Sequence, residues 1–318
     1  MKREPSLTVL LPAPRRTFKL SPGSFGQGLI MMAHKLATNT AVLDCETSEI
    51  RLLLEHYAGV LIDKPSEAMA DCLARHIEAS HLTSAAELIG TLKASPEECD
   101  TLLERLLPAD TAFFRCPGAF DALEKKILPE IRARKAGESP ASLRIWSAGC
   151  STGEEAYSIA MSVCEVLSGD SGGWKIHIVA GDIRCDALRT GERGLYEQRS
   201  LEHVPHSLIS SYFSRVGDHF LVKPRLRNLI TFAPMNLAQP TFIGRFDCIF
   251  CMDVLPHFSM HQRSALLHNL YMYLEPGGHL LLGQNEKLPA TEVSFTPKAH
   301  LACTYYQRPM AAAAKSGR

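Results

Sequence analysis

Apolar residues recur at helical spacing over residues 48–107, then give way to short apolar runs separated by helical stretches over 120–305. In the first region Ile50, Leu53, Leu54 and Tyr57 form one stripe, and Met69, Cys72, Leu73, His76 and Ile77 a second. Leu102, Leu103, Leu106 and Leu107 form a third. Separations of three and four residues place each set on one helical face, which predicts a small all-helical domain. In the second region the runs at 143–147, 176–181, 229–233, 246–251 and 279–283 read as strands. Their alternation with helical segments predicts a doubly wound α/β sheet. Residues 1–40 carry Pro12, Pro14, Arg15, Arg16 and Pro22 without periodicity and read as a flexible extension. Residues 311–318, alanine-rich and ending Lys-Ser-Gly-Arg, read as a disordered tail. The expected organisation is therefore 1–40 extension, 41–115 helical domain with linker, 116–310 α/β domain and 311–318 tail.

The segment 147–160, Ser-Ala-Gly-Cys-Ser-Thr-Gly-Glu-Glu-Ala-Tyr-Ser-Ile-Ala, joins a predicted strand to a predicted helix through a small-residue turn. Gly149 and Gly153 let backbone approach a ligand, and a helix N-terminus presents free N–H groups. A phosphate site would keep that end free of acids. Here Glu154 and Glu155 occupy the first turn, which disfavours a pyrophosphate and suits a ligand carrying an amine or sulfonium, such as S-adenosylmethionine. A capping box from Ser or Thr to Glu is the alternative use of the same residues. Further along, strand ends carry Asp182, placed for two ribose hydroxyls or for a turn. Asn236-Leu237, where an amide could read an adenine edge, and Cys251-Met252-Asp253 close two more strands. That is where an open parallel sheet collects its ligand.

Composition narrows the class. The chain has 318 residues, 46% hydrophobic and 21% charged, enough for two domains with a substantial core. Its formal net charge is zero, so no basic field favours nucleic acid or an anionic membrane. No apolar run reaches membrane-span length, and the N-terminus lacks the apolar core of a signal peptide. Ten cysteines without framework spacing fit a reducing, cytoplasmic setting. Cys248 and Cys251, followed by His257 and His261, outline a zinc site. Residues three apart on a strand face opposite sides, however, so core packing is expected and no metal.

The motifs together resemble the CheR-type chemotaxis receptor methyltransferases. The resemblance runs from about residue 48 to 307. It covers His-Tyr-Ala-Gly-Val-Leu-Ile (56–62), Thr-Ala-Phe-Phe-Arg (111–115) and the highly specific Trp-Ser-Ala-Gly-Cys-Ser-Thr-Gly-Glu-Glu (146–155). Gly-Asp-Ile (181–183), Phe-Asp-Cys-Ile-Phe-Cys (246–251) and Glu-Pro-Gly-Gly (275–278) complete it. It implies a Rossmann-like S-adenosylmethionine-dependent methyltransferase sheet with a helical N-terminal domain and a small β-subdomain insert at 195–228. It also implies methylation of glutamate side chains on a receptor. By position, Thr111 and Arg115 reach the cofactor site from the helical domain, with Arg115 beside the methionine moiety and the reacting carboxylate. Gly149 and Glu155 contact the cofactor, Glu155 at its amine; Asp182 takes the ribose, and Asn236 and Leu237 the adenine side. Met252, Asp253 and His257 occupy the end of the fourth strand, His257 replacing a tyrosine close to the transferred methyl. Arg115 and His257 are the expected catalytic residues.

The chain departs from the family pattern at several of these places. Ala109 and Ala112 replace asparagines, Met252 an arginine, Asp253 an asparagine and Pro256 an apolar residue. Gly283-Gln284-Asn285-Glu286 replaces Gly-His-Ser-Glu. The helix at about 66–81 offers only Arg75 and His76 beside Asp71 and Glu78, where receptor-docking relatives are arginine-rich. The hairpin tip Arg215-Val216-Gly217-Asp218-His219 is short, which argues against binding a receptor tether peptide. The expected function is methylation of glutamate carboxylates on a chemoreceptor-like partner. The alternatives are a catalytically weakened module that binds S-adenosylmethionine and docks or senses, and a methyltransferase with another acceptor.

Overall fold

The structure, a computed structural model, describes residues 44–107, 111–169, 173–239, 243–284, 286–288 and 293–310. The described residues from Glu46 onward belong to one compact unit, which holds every candidate site residue. The extension expected at 1–40, the tail at 311–318, and Ala109 and Asn285 lie outside the described residues.

Four helices open this unit: α1 through residue 58, α2 (Ser66–Ala79), α3 (Ala85–Ala94) and α4 (Pro96–Leu106). Ser84 caps α3 by accepting from Glu87 N, and Ser95 caps α4 by accepting from Glu98 N, with Pro96 in the first turn. The three apolar stripes meet in one cluster: Ile50, Leu54, Met69, Leu102, Leu103 and Leu106 are each at most 2% exposed. His76 belongs to that interior, fully buried and bonded to Glu98 Oε1 at 2.7 Å. Of the two bases expected on this helix, only Arg75 therefore reaches the surface.

After α5 (Pro117–Ala122), a π-turn and α6 (Leu128–Arg134), β1 (Ala141–Ala148) begins the sheet. Then come α7 (Glu154–Leu167), β2 (Trp174–Asp182), α8 (Cys185–Arg193), β3 (Leu195–Glu197) and α9 (His206–Tyr212). The chain continues through β4 (Phe213–Val216), β5 (His219–Val222), α10 (Pro224–Arg227), β6 (Ile230–Pro234) and β7 (Phe246–Cys251). It closes with α11 (Met260–Tyr273), β8 (Leu274–Leu282), β9 (Thr296–His300) and β10 (Cys303–Gln307). The order in the main sheet is β6-β2-β1-β7-β8-β10-β9, with β3, β5 and β4 forming a separate antiparallel sheet within the 195–228 insert. The first five strands run parallel, and β9 and β10 add an antiparallel hairpin at one edge.

Successive residues of the central strands face opposite sides, as strand geometry requires. Leu143, Ile145, Cys248 and Phe250 pack against α6 and α7, whereas Trp146, Ala148, Ile249 and Cys251 pack toward the opening helices and α11. Cys248 and Cys251 thus lie on opposite faces of the sheet, both wholly buried. Chain direction through the sheet reverses between β1 and β7: β1, β2 and β6 build outward one way, β7 and β8 the other. The carboxyl ends of β1 and β7 accordingly flank a crevice, where open α/β sheets take ligands.

Candidate active site

The turn after β1 is folded onto the end of β2. Gly149 N and Cys150 N both donate to Gly181 O, at 2.8 and 3.0 Å, and Ser151 N donates to Asp182 Oδ2 at 2.7 Å. Gly149 has φ of 82°, and a Cβ there would lie 2.6 Å from Val254 Cγ2, so only glycine passes between the two strand ends. The N-cap of α7 is Gly153, without a side-chain cap, so the capping box is not formed. The acidic pair divides. Glu154 is buried and accepts from Thr152 Oγ1 at 2.6 Å, away from the crevice, while Glu155 faces the crevice and accepts from Ser147 Oγ at 2.6 Å.

Two connected cavities occupy the crevice. The larger, about 340 Å³, is bordered by Asp182, Ile183, Arg184, Met235, Asn236 and Leu237 on the β2 and β6 side. Ala58, Val60 and Leu107 close it from the helical domain, and His257 and Phe258 from the segment after β7. The smaller, about 40 Å³, is bordered by Thr111, Ala112, Cys116, Phe120 and Glu155. Arg115, Gly149, Ser151, Met252 and Asp253 border both and form the neck between them. Every residue expected from sequence to bind cofactor therefore touches one of these two spaces.

Arg115 is set in the neck by its neighbours. Phe113 is fully buried, edge-on to Tyr196 (5.0 Å between centroids) and Phe213 (5.7 Å), and Phe114 N donates to Ser158 Oγ on α7 at 3.0 Å. The guanidinium then lies 3.6 Å, Nε to Oδ2, from Asp253. Asp253 itself has φ of 59°, held by donation from its N to Glu286 Oε2 at 2.9 Å. Glu286 also accepts from Gly283 N (2.6 Å) and Leu255 N (3.0 Å), which ties the ends of β7 and β8 together.

Three sequence expectations change on this geometry. Asp182 accepts from Ser151 N, from Arg184 N (2.9 Å) and from Arg184 Nε (3.4 Å). Three of a carboxylate's roughly four acceptor positions are thus taken, which leaves room for one ribose hydroxyl rather than two. The Asn236 amide is committed to backbone, accepting from Ala238 N at 2.9 Å and donating to Tyr57 O at 3.3 Å, so it shapes the turn after β6 and keeps little capacity to read a base edge. His257 borders only the larger cavity, not the small one at Glu155, because the turn Leu255–His257 bends back toward the helical domain, where Leu61 N donates to His257 O. Burial also lowers its pKa below the ordinary 6.5, with Arg184 pushing the same way and Asp253 opposing, so the ring is neutral near pH 7.

Two residues that sequence pattern does not reveal complete the site, Arg184 and Glu286. Arg184 is 5% exposed and donates from Nη2 to Ser151 Oγ at 2.7 Å, so it braces the turn between β1 and α7 against the end of β2. Its only sequence signal is a charged residue two positions beyond a strand-end aspartate, a common surface arrangement. Glu286 closes the Gly-Gln-Asn-Glu run, but its three backbone partners are visible only in three dimensions.

The pocket is apolar where a nucleoside base would lie (Ile183, Met235, Leu237, Phe258) and acidic around the small cavity, where Glu155 and Asp253 outnumber Arg115. That donor set fits a cationic ligand attached to a nucleoside. The family description "CheR methyltransferase, SAM binding domain" matches residues 109–301.

The chain belongs to the CheR family.

Its cofactor is S-adenosylmethionine. The Escherichia coli chemotaxis protein methyltransferase is 31% identical over 277 residues, spanning 84% of this chain and 92% of that protein. Chemotaxis protein methyltransferase Cher2 of Pseudomonas putida is 30% identical over 79% of this chain and 92% of its own length. A chemotaxis protein methyltransferase of Borreliella burgdorferi is 33% identical over 59% and 67%. No helix among the described residues is long and apolar enough to cross a membrane.

In this CheR-family pocket, burial raises the pKa of Glu155 to about 7, with Asp253 adding to the rise and the Ser147 hydrogen bond and Arg115 opposing it. Near pH 7 the side chain is therefore about half protonated in the free protein. A cationic amine placed beside it favours the carboxylate and lowers that pKa, so a proton leaves on binding. Calorimetric titration with S-adenosylhomocysteine at pH 7, in buffers of different ionisation enthalpy, should show release of up to about half a proton, and Glu155→Gln should remove it. Affinity should rise between about pH 6 and 8 in the parent and stay flat in the variant.

Proposed function

We propose that this protein methylates glutamate side-chain carboxylates on a chemoreceptor-like protein in the cytoplasm, with S-adenosylmethionine as methyl donor. The observation that carries this reading is Arg115 in the neck, bordering both cavities, because a planar guanidinium is suited to holding a carboxylate by both oxygens. The bound cofactor supplies a methyl group made electrophilic by its sulfonium. A glutamate with its ordinary pKa of about 4.3 is ionised at neutral pH, so no general base is needed. Its carboxylate would take the methyl group directly, with the displaced electron pair left on the cofactor's sulfur and no proton to be moved.

The chain's own residues then position and screen. The apolar lining of the larger cavity holds the nucleoside, Asp182 takes a ribose hydroxyl, and Glu155 takes the amine. Thr111, Met252 and Asp253 frame the neck, and Arg115 aligns the acceptor, so the rate comes chiefly from positioning. The β4–β5 hairpin turns through Gly217 and Asp218 alone, which supports an acceptor recognised without a tether peptide. Zero net charge supports a protein partner rather than nucleic acid.

One observation favours a second reading, a module that binds cofactor but turns over poorly: Asp253 already lies 3.6 Å from Arg115 and competes for its guanidinium. The test is calorimetry with S-adenosylhomocysteine followed by methyl transfer to the cytoplasmic fragment of a chemoreceptor from the same organism, scored as base-labile methyl ester. Binding with ester formation supports the enzyme. Binding without it moves the case to the module, and no binding overturns both.

A further inference from the structure

A third cavity, about 400 Å³, adjoins the small one and takes no part in the cofactor site. Its walls come from Cys116–Ala119 at the start of α5, from Leu282–Gln284 at the end of β8 with Glu286–Leu288 beyond it, and from Ala302–Thr304 and Tyr306 at the start of β10. Cys116 borders both this space and the small cavity, so the three spaces follow one another, the nucleoside side first and this one last. Small side chains keep it open: a Cβ on Gly118 would already lie 3.4 Å from Cys303 Cβ.

The charges along this path are ordered. Glu286 borders the cavity, but its carboxylate is turned onto three backbone N–H groups. Lys287, exposed at the rim, is the only cationic side chain bordering the space among the described residues. Past Cys116 the next cation is Arg115. A carboxylate entering here would pass Lys287 at the rim and pair with Arg115, the one cation bordering a small cavity that also carries Glu155 and Asp253. Displacement at a methyl carbon also requires the nucleophile to arrive on the side away from sulfur. With the nucleoside in the larger cavity, this third cavity would lie beyond the neck from it, on the side open to an acceptor.

We propose that this third cavity is the acceptor channel, through which a glutamate-bearing segment of the substrate protein reaches Arg115. The inference rests on the glutamate-methylation reading. The channel's small and apolar walls (Gly118, Ala119, Leu282, Leu288 and Ala302) then select an acidic side chain whose immediate neighbours are small.

The test fills the channel from its exposed wall with Ala302→Trp and, separately, Thr304→Trp, leaving every cofactor contact in place. Both variants should bind S-adenosylhomocysteine with parental affinity by calorimetry, which also reports that they are folded. Both should lose roughly tenfold or more in methyl transfer to the receptor fragment, mainly through a raised KM. In the parent saturated with S-adenosylhomocysteine, the same fragment should slow alkylation of Cys303, read by peptide mass spectrometry. Parental transfer rates in both variants, or Cys303 alkylation indifferent to the fragment, would overturn the channel while leaving the functional reading intact. Failure of the parent itself to methylate the fragment overturns that reading and the channel with it.

Discussion

Asp182→Ala should lower both stability and cofactor affinity, and the two losses have separable causes. Asp182 and Arg184 form an ion pair whose side chains are 9% and 6% exposed. Removing the carboxylate strands a buried guanidinium, with Ser151 Oγ as its remaining hydrogen-bonded partner, and leaves Ser151 N unpaired. Breaking a buried pair from one side costs on the order of 3–5 kcal/mol. The melting temperature should therefore fall by many degrees. At a temperature where the variant is still folded, S-adenosylhomocysteine affinity should drop by about 1–3 kcal/mol, roughly five- to a hundred-and-fiftyfold, for the lost ribose acceptor and the turn it orders. Adenosine should lose a similar factor. A nucleoside lacking both ribose hydroxyls should lose less, only the share that comes from the turn Asp182 orders. Unchanged S-adenosylhomocysteine affinity would place the ribose elsewhere.

Legibility in the sequence followed the range of the interactions involved. The parallel strands and the opening helices were readable because burial imposes a period on each: Leu143, Ile145 and Trp146 alternate between two interiors, and Ile50 and Leu54 share one helical face. The turn 149–153 was readable because glycines and a following acid are local necessities. What escaped was set by partners distant in the chain. Whether Glu154 or Glu155 faces the ligand depends on Thr152 taking one and Ser147 the other. Whether His76 is a docking base depends on Glu98, twenty-two residues away, drawing it inward. The capacity of Asp182 depends on Arg184 folding back across the turn, and that of Asn236 on a carbonyl, Tyr57 O, from another domain. The hairpin of β9 and β10 extends an otherwise parallel sheet and lacks a crossover helix to announce it, yet it supplies a wall of the third cavity.

The loss of Arg115 should fall far more on the acceptor and its methylation than on the cofactor. Arg115 is 40% exposed in its side chain, and its ion pair with Asp253 is equally open, so Arg115→Ala removes little stability. It does remove the one positive charge among the described residues bordering the small cavity, where Glu155 and Asp253 remain. An incoming carboxylate would then meet two acids and no counter-charge, and its two oxygens would lose the fork that fixes their direction. Methyl transfer should fall by at least about a hundredfold, combining lost orientation with repulsion. The cofactor is affected less, and by its charge: losing a guanidinium favours the sulfonium, so S-adenosylmethionine should lose less affinity than S-adenosylhomocysteine, which keeps the same amino-acid end without that charge. Arg115→Lys restores the charge but not the planar pair of donors, so it should recover affinity for the acceptor more than rate. Asp253→Asn gives the complementary result: it relieves the guanidinium of its competing carboxylate and should raise turnover on an acidic acceptor. Near-parental turnover in Arg115→Ala, measured with S-adenosylmethionine and the receptor fragment both saturating, would show that the neck cation does not hold the acceptor.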